Sequence, residues 1–393
     1  MSKTHRIASI DIFRALTMFL MIFVNDLWTV IHVPDWMEHA KASEDTMGLA
    51  DWVFPGFLFI VGLSIPIAIE ARRKKGESTL DIFWHILKRS TALVVMGFYM
   101  VNLENINNDL LPFSKYFWEI LMATAIVLIW NVYPNHKAFK KIPQWAMQLA
   151  GIVVFIFLSV VYKSGTAENP TWLEPHWWGI LGIIGWAYLL CATVYLLVGK
   201  KIIWIALVLV VFQFLNAMQF IDFFGYKLSI NFMVSASNHA SITSGIVATL
   251  LYLEYGKTGN VSKFLSFIFI LAVLFVAYGF ITRPEWGISK IKATPSWTSI
   301  CAGISFAAFG ILYLVADVWK KTSWANGIGP AGRSTLTCYL VPYFYYGIMA
   351  LVGIYLPEFF KTGFFGIIKS LLFAYLIIFI TGQLEKLNIR LKI

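Results

Sequence analysis

Charged side chains are scarce in this sequence. Asp, Glu, Lys and Arg make up 13% of the 393 residues, whereas soluble domains carry about 25%. Hydrophobic residues make up 59%, so the composition excludes an ordinary soluble protein and indicates an integral membrane protein. The net charge of +10 does not predict a nucleic-acid partner, because the positive residues fall in short loops between apolar runs. In such loops they act as topology signals.

Cysteines are few, and the sequence motifs of several soluble enzyme classes are missing. Cys191, Cys301 and Cys338 all lie inside apolar runs, which excludes a disulfide framework and a paired-cysteine metal site. The chain has no Walker motif, no G-x-S-x-G elbow and no H-E-x-x-H pair. P-loop hydrolysis, serine hydrolysis of the α/β-hydrolase type and zinc proteolysis therefore have no support. We expect no metal ion.

Long apolar runs dominate what is present. A membrane span needs about 20 mostly apolar residues and must be helical, because lipid offers no partner for backbone polar groups. The sequence predicts an all-α, polytopic helical bundle with about twelve spans in a single domain over residues 1–393. The break at Gly199-Lys200-Lys201 is short and Lys369 is polar, so the sequence allows ten to twelve spans. The predicted spans are 7–31, 47–70, 81–102, 116–133, 143–163, 178–198, 201–219, 238–255, 262–281, 298–319, 334–355 and 364–382.

The distribution of Lys and Arg predicts the orientation. With a cytoplasmic N-terminus, 21 of these residues lie on the cytoplasmic side and 8 on the other, which is the expected positive-inside bias. Both termini are then cytoplasmic, and the loop within 25–55 faces outward. No Asn-x-Ser/Thr sequon lies in an outward loop, which favours a bacterial inner membrane over a glycosylated cell-surface or lysosomal location.

The polar segment 25–55, between the first two apolar runs, holds the candidate catalytic residues. His39 in this loop titrates near neutrality and can act as a general base, although a solvated loop histidine is the plainer interpretation. Histidine placement alone cannot select it, because His32, His176 and His239 also reach the predicted outer face. Asn25 ends the first span, where its amide can donate to an oxyanion or simply pack between helices.

Other charged residues have a structural and a functional interpretation. Asp11 and Arg14 are three residues apart on one helix face and predict an ion pair. Asp51 can cap the second span or orient His39. The run of Arg72, Arg73, Lys74 and Lys75 is most often a membrane anchor, but it could also bind the phosphates of a nucleotide.

The first quarter of the chain resembles a known family. The segments that carry the resemblance are Ser9-Ile10-Asp11, Phe13-Arg14, Val24-Asn25, His39-Ala40 and Ala50-Asp51-Trp52-Val53-Phe54-Pro55-Gly56-Phe57. They resemble the heparan-α-glucosaminide N-acetyltransferase family, and in particular its bacterial branch of transmembrane acyltransferases. The family's Gly-Val-Leu-Gln-Arg segment is replaced here by Tyr116-Phe117-Trp118-Glu119-Ile120, and its Asp-Pro-Glu-Gly segment has no clear counterpart.

The resemblance implies an enzyme that transfers an acetyl group from cytoplasmic acetyl-CoA to a glucosamine-type amine of a sugar or oligosaccharide beyond the membrane. His39 matches the family's active-site histidine and Asn25 its asparagine, with Asp51 and Arg14 in support. Members of the family are dimeric, so a homodimer is expected. The residues assigned to CoA are Arg72, Arg73, Lys74, Lys75 and Arg333, and those assigned to the sugar are Asn238, His239 and Lys290.

Two alternatives stay open at the level of sequence. In a sugar transporter or permease partner, the histidine loop would only line an outer vestibule, although paired broken-helix signals are missing. A structural membrane subunit has no specific feature in its favour. For an enzyme, the sequence does not separate a basic His39 from a His39 that carries the acetyl group, nor N- from O-acetylation.

Overall fold

The structure, a computed structural model, describes residues 7–133, 143–222, 229 and 231–393. Several of the positive residues that predict the orientation lie outside these ranges, namely Lys3, Arg6, Lys137, Lys140, Lys141 and Lys227.

Helices account for nearly all the regular structure in the described ranges, and the predicted all-α membrane bundle is confirmed. The helices are α1 (Ala8–Asp26), α2 (Leu49–Arg73), α3 (Thr79–Glu104), α4 (Lys115–Trp130), α5 (Gln144–Val161), α6 (Ile180–Val198), α7 (Ile202–Met218), α8 (Ala236–Leu251), α9 (Val261–Trp286), α10 (Pro295–Tyr313), α11 (Gly329–Arg333), α12 (Thr335–Val352) and α13 (Gly363–Lys386). Two-residue strands β1 (Ser164–Gly165) and β2 (Pro170–Thr171) form a small antiparallel hairpin.

Each of the twelve predicted spans coincides with a helix, and α11 is an additional short turn of helix. Nine of the described helices are long and apolar enough to cross a membrane. The three that fall short are α4 with 16 residues, α7 with 17 and α8 with 16. Helix α8 continues into a π-helical turn at Tyr252–Gly256, which lengthens it toward the full bilayer thickness.

Helix α8 lies in the centre of the bundle, and its sequence explains why it is less apolar than a lipid-facing helix. Its residues are buried except for the half-buried Asn238, so its Ser and Thr hydroxyls face protein. A Cβ added to Gly62 of α2 would lie 1.9 Å from the Ile242 carbonyl oxygen, and one added to Gly245 would lie 2.0 Å from the Phe59 carbonyl oxygen. The two backbones therefore touch, which is how small residues hold membrane helices together.

Segments that are predicted to lie on the same side of the membrane contact one another, as expected when successive spans alternate in direction. At one end, Ile31 pairs with Thr362 and Ile106 with Ser164, and all four belong to segments predicted to face outward. At the opposite end Asn131 pairs with Leu391. We call these the outer and inner ends, following the sequence-based orientation.

Ion pairs join four of the charged residues inside the predicted spans. The predicted pair between Arg14 and Asp11 is present, with an N–O distance of 3.4 Å. Lys369 of α13, an unusual residue for a span, donates to the Asp26 carboxylate at 2.6 Å and also to the Thr29 hydroxyl. The Tyr346 hydroxyl donates to the same carboxylate. The three cysteines are free and buried, as their apolar surroundings predict.

Candidate active site

The loop between α1 and α2 folds back on the start of α2 and thereby positions His39. The Leu49 N–H donates to the Trp36 carbonyl at 2.7 Å. Gly48 lies so close to this loop that a Cβ there would be 2.0 Å from the Glu38 carbonyl oxygen. Glycine is therefore required at the point where the loop enters the helix, because any side chain would push the histidine segment away.

Asp51 links the start of α2 to His39. It makes both the contacts of a helix cap and a contact that can orient His39. One carboxylate oxygen, Oδ2, accepts hydrogen bonds from the Gly48 and Ala40 N–H groups at 3.0 Å, which caps the helix. The other, Oδ1, lies 2.7 Å from Nδ1 of His39. Since Asp51 is fully buried, this carboxylate favours the tautomer with hydrogen on Nδ1. Nε2 then carries the lone pair that a base needs.

Lys290 covers the imidazole ring of His39. Its Nζ lies 3.1 Å from Nδ1 and 3.4 Å from Nε2. The two ring nitrogens point in different directions within the ring plane, so an atom near both of them lies over the face of the ring. The same Nζ is 4.0 Å from the Asp51 carboxylate. Burial lowers the pKa of Lys290, while the Asp51 carboxylate opposes this shift.

A clamp holds the loop that carries Lys290. The Asp45 carboxylate accepts hydrogen bonds from Arg283 Nε at 2.8 Å and from the Ile288 N–H at 2.6 Å. Arg283 also donates to the Asp45 carbonyl at 3.0 Å. The hydrogen bond from Arg283 holds the pKa of Asp45 below its ordinary range. The loop after α9 is thus tied to the histidine loop, which keeps Lys290 over His39.

A cavity of about 750 Å³, the outer cavity, opens beside this cluster. His39, Asn25 and Lys290 all line it, so the structure brings together three of the residues predicted from sequence. The Asn25 side chain is exposed, and in the described ranges its amide has no hydrogen-bond partner, which favours a free donor over a packing amide. The other polar and aromatic lining residues are Glu104, Glu119, Trp28, Phe54, Trp178, Tyr339, Tyr343, Tyr346 and Phe373.

A second cavity of about 350 Å³, the inner cavity, lies end to end with the first. Both cavities are lined by Met21, Ile180, Leu181 and Tyr339. The inner cavity is rich in cationic side chains, which are Arg14, Arg89, Arg333, Arg390 and Lys392. Of these, sequence reasoning assigned a ligand-binding role to Arg333 and a supporting role to Arg14.

The remaining three cations of the inner cavity reach it only through tertiary packing. Arg390 and Lys392 follow the last helix, and the chain there pairs with the end of α4 through Asn131 and Leu391. The Arg390 guanidinium donates to the Arg333 carbonyl at 2.8 Å. Arg89 lies in α3, and its guanidinium carbon is 5.0 Å from the centre of the Tyr188 ring. In the sequence, the one indication that these three cations share a site was their position at the cytoplasmic ends of predicted spans.

The basic run 72–75 lies elsewhere. Arg72 pairs with Glu77 at 2.6 Å, and Arg73 pairs with Glu70 at 3.0 Å. Lys74 and Lys75 are exposed. None of the four lines either cavity, so the structure does not bring them to the other residues assigned to CoA.

The two candidate sugar-binding residues of α8 have neighbours other than His39. His239 is buried, with its ring centre 5.2 Å from that of Phe212. The Asn238 amide donates to the Ser235 carbonyl at 3.3 Å. Neither residue lines the outer cavity, and of the described histidines only His39 does so.

Two acidic residues of the outer cavity, Glu104 and Glu119, were not singled out by sequence reasoning. A carboxylate inside an apolar run is itself a functional signal, and Glu119 lies within the fourth predicted span. In the described part of the chain, no three His, Cys, Asp or Glu side chains are grouped so as to hold a metal ion.

Comparison with known proteins agrees with the resemblance drawn from the sequence. Residues 6–183 match the family described as heparan-alpha-glucosaminide N-acetyltransferase, catalytic. Two relatives named heparan-alpha-glucosaminide N-acetyltransferase are 33% identical over 105 residues in Mus musculus and 34% identical over 101 residues in Homo sapiens. These alignments cover 26% and 25% of this chain, but only 15% and 14% of the relatives' lengths. The resemblance is therefore confirmed, over a region that contains Asn25, His39 and Asp51.

Proposed function

From this family match, we propose that the protein is a transmembrane acetyltransferase. It moves an acetyl group from cytoplasmic acetyl-CoA to the amine of an amino sugar or oligosaccharide on the outer side of the membrane. The observation that carries the proposal is the arrangement of the two cavities. A cation-lined cavity at the inner end shares four lining residues with the outer cavity that holds His39 and Asn25.

The inner cavity suits the nucleotide part of CoA. Its phosphates are strongly charged and will not enter the bilayer core, whereas guanidinium groups bind phosphate through charge-assisted, often bidentate hydrogen bonds. Arg89, Arg333 and Arg390 are the side chains that would contact these phosphates. The pantetheine arm is long and thin, and the shared wall at Met21 and Tyr339 is where it would pass toward the outer cavity.

His39 and Asn25 would carry the chemistry. As a general base, Nε2 of His39 takes a proton from the amine while nitrogen attacks the thioester carbonyl, and Asp51 stabilises the resulting imidazolium. The Asn25 amide donates to the oxyanion. When the C–S bond breaks, the imidazolium returns the proton to the CoA sulfur. In the alternative route, Nε2 attacks the thioester itself and carries the acetyl group before the amine takes it.

The cellular setting is part of the same proposal. We place the protein in a bacterial inner membrane, as a homodimer surrounded by lipid, with its basic loops in the cytoplasm. The absence of an outward sequon and the 21-to-8 distribution of Lys and Arg support this location and orientation.

Sealed inside-out vesicles test the transmembrane reaction. Glucosamine is trapped inside the vesicles, and acetyl-CoA with a labelled acetyl group is added outside, where the cytoplasmic face is exposed. We expect labelled N-acetylglucosamine inside the vesicles and free CoA outside. Labelling that requires both substrates on the same side would contradict the transmembrane mechanism. Glucosamine release from the vesicles without any acetylation would instead favour the sugar transporter.

A further inference from the structure

Glu119, in the second turn of α4, is a buried carboxyl group that lines the outer cavity. Its exposed fraction is 9%. Among the described residues it forms no hydrogen bond and no ion pair within 4 Å. The nearest cation along the helix, Lys115, has its Nζ 5.4 Å from the centre of the Tyr116 ring, rather than in an ion pair with Glu119.

A carboxyl group in this position is costly unless something pairs with it. Burial without a partner disfavours the charged form, and ionisable residues in membrane segments usually mark a ligand or ion path. Glu104, at the end of α3, lines the same cavity and likewise has no ion-pair partner in the described ranges. Tyr343 of α12 lines this cavity as well, so the two acids face a common space.

We propose that Glu119, assisted by Glu104, binds the ammonium group of the acceptor and thereby selects amino sugars over neutral sugars. This inference rests on the proposed function for the identity of the acceptor. An ammonium has three hydrogen-bond donors and no acceptor, which complements a carboxylate that accepts only. A neutral hydroxyl would leave the negative charge of the buried group uncompensated.

The other lining residues fit the same ligand. Lys290 is committed to His39 and Asp51, and among the described lining residues there is no second lysine to balance Glu119 and Glu104. Tyr339 and Tyr343, with ring centres 6.2 Å apart, offer aromatic surface and hydroxyl groups to a sugar ring. The site therefore predicts N-acetylation, because the selected ammonium becomes the nucleophilic amine once it has released one proton to solvent.

Equilibrium binding in the absence of acetyl-CoA tests this site without relying on turnover. Calorimetry on the full chain in nanodiscs would compare glucosamine with glucose, which has a hydroxyl in place of the amine. We expect glucosamine to bind at least about tenfold more tightly, and Glu119→Gln to lose that preference while its affinity for glucose stays the same. Glu168→Gln, a matched change in an exposed outer loop, should bind both sugars like the wild type.

Glu104→Gln provides a second variant whose exposed side chain does not threaten folding, and a smaller loss of preference is expected. In kinetic assays, Glu119→Gln should raise KM for glucosamine by a factor on the order of ten while KM for acetyl-CoA stays unchanged.

Unaltered glucosamine binding in both folded variants would overturn the proposal. A glucosamine preference that depends on Glu119, without acetyl transfer by any variant, would support this site and contradict the proposed function. Acetyl transfer by Glu119→Gln with an unchanged KM for glucosamine would support the proposed function and contradict this site.

Discussion

At the scale of single residues, the surroundings of His39 give its two ring nitrogens different partners. The buried Asp51 carboxylate is hydrogen-bonded to Nδ1, and Lys290 lies over one face of the ring. Nε2 is left without a carboxylate partner among the described residues, and the side chain is half exposed. This is the geometry of a histidine base held by an orienting acid, and it differs from that of a loop histidine whose two nitrogens are both solvated.

Replacing His39 with Ala should lower kcat by a factor on the order of 100 or more, because the variant lacks the proposed base or acetyl carrier. Acetyl transfer to glucosamine by purified protein in proteoliposomes measures this. His176→Ala is a suitable control, since His176 lies in an outer loop, 3.6 Å from Glu174, and does not line the cavity. Full turnover in correctly inserted His39→Ala protein would remove the assignment.

Asn25→Ala tests the oxyanion donor. If the Asn25 amide donates to the tetrahedral intermediate, its removal should raise the barrier by roughly 2–4 kcal/mol, with the loss in kcat rather than in KM. The side chain is exposed, so the thermal midpoint of the protein should hardly change. A drop in thermal stability with unaltered kcat would instead show that the amide has a packing role.

At the scale of helices and loops, the sequence predicted the helices better than the contacts between them. The twelve apolar runs became helices because a chain in lipid has no other way to satisfy its backbone. Asn25, His39 and Lys290 could be assigned to one site because they carry chemistry at the same predicted membrane face. Arg89 and Glu119 could not, since their neighbours come from helices remote in sequence, and no periodicity within one helix reveals such a contact.

The clamp between Asp45 and Arg283 gives a prediction about pH. Because the pKa of Asp45 is lowered in the folded protein, its contribution is fully present above about pH 4, the unfolded value. It is lost only as pH falls through the lower native value. Asp45→Asn should therefore increase hydrogen exchange in the loop 287–294 at neutral pH, while the wild type should show that increase only in acid. Equal exchange in the two proteins at about pH 7 would contradict the clamp.

The ion pair between α1 and α13 gives a prediction about stability. Lys369→Met leaves the Asp26 carboxylate, 2% exposed, with its tyrosine donor alone. Loss of one partner of a buried pair costs about 3–5 kcal/mol, so the thermal midpoint in detergent should fall clearly. The double variant Asp26→Asn/Lys369→Met removes the unpaired charge and should recover much of the loss. A double variant no more stable than Lys369→Met would show that the pair itself does not account for the effect.

At the scale of the whole molecule, the bundle places two different chemical environments along one path. The inner cavity is cationic, the outer cavity holds His39, Asn25 and two carboxyl groups, and the wall between them is formed by residues of α1, α6 and α12. In the proposed reaction, this arrangement would let a phosphate-bearing donor and a cationic acceptor each stay on its own side. Only the acetyl group then has to reach the boundary between the cavities.

This division predicts which cations control the affinity for acetyl-CoA. Arg89→Gln or Arg390→Gln should raise KM for acetyl-CoA roughly tenfold, since a hydrogen bond to a charged group contributes about 1.5–3 kcal/mol. The KM for glucosamine should hardly change, because the proposed acceptor site is in the other cavity. Lys74→Gln and Lys75→Gln remove the same charge from the same predicted membrane face, outside both cavities, and are the matched controls. Steady-state kinetics with each substrate varied in turn separates the two sets. An equal rise in KM for acetyl-CoA in the control variants would show that general surface charge, rather than the inner cavity, attracts the nucleotide.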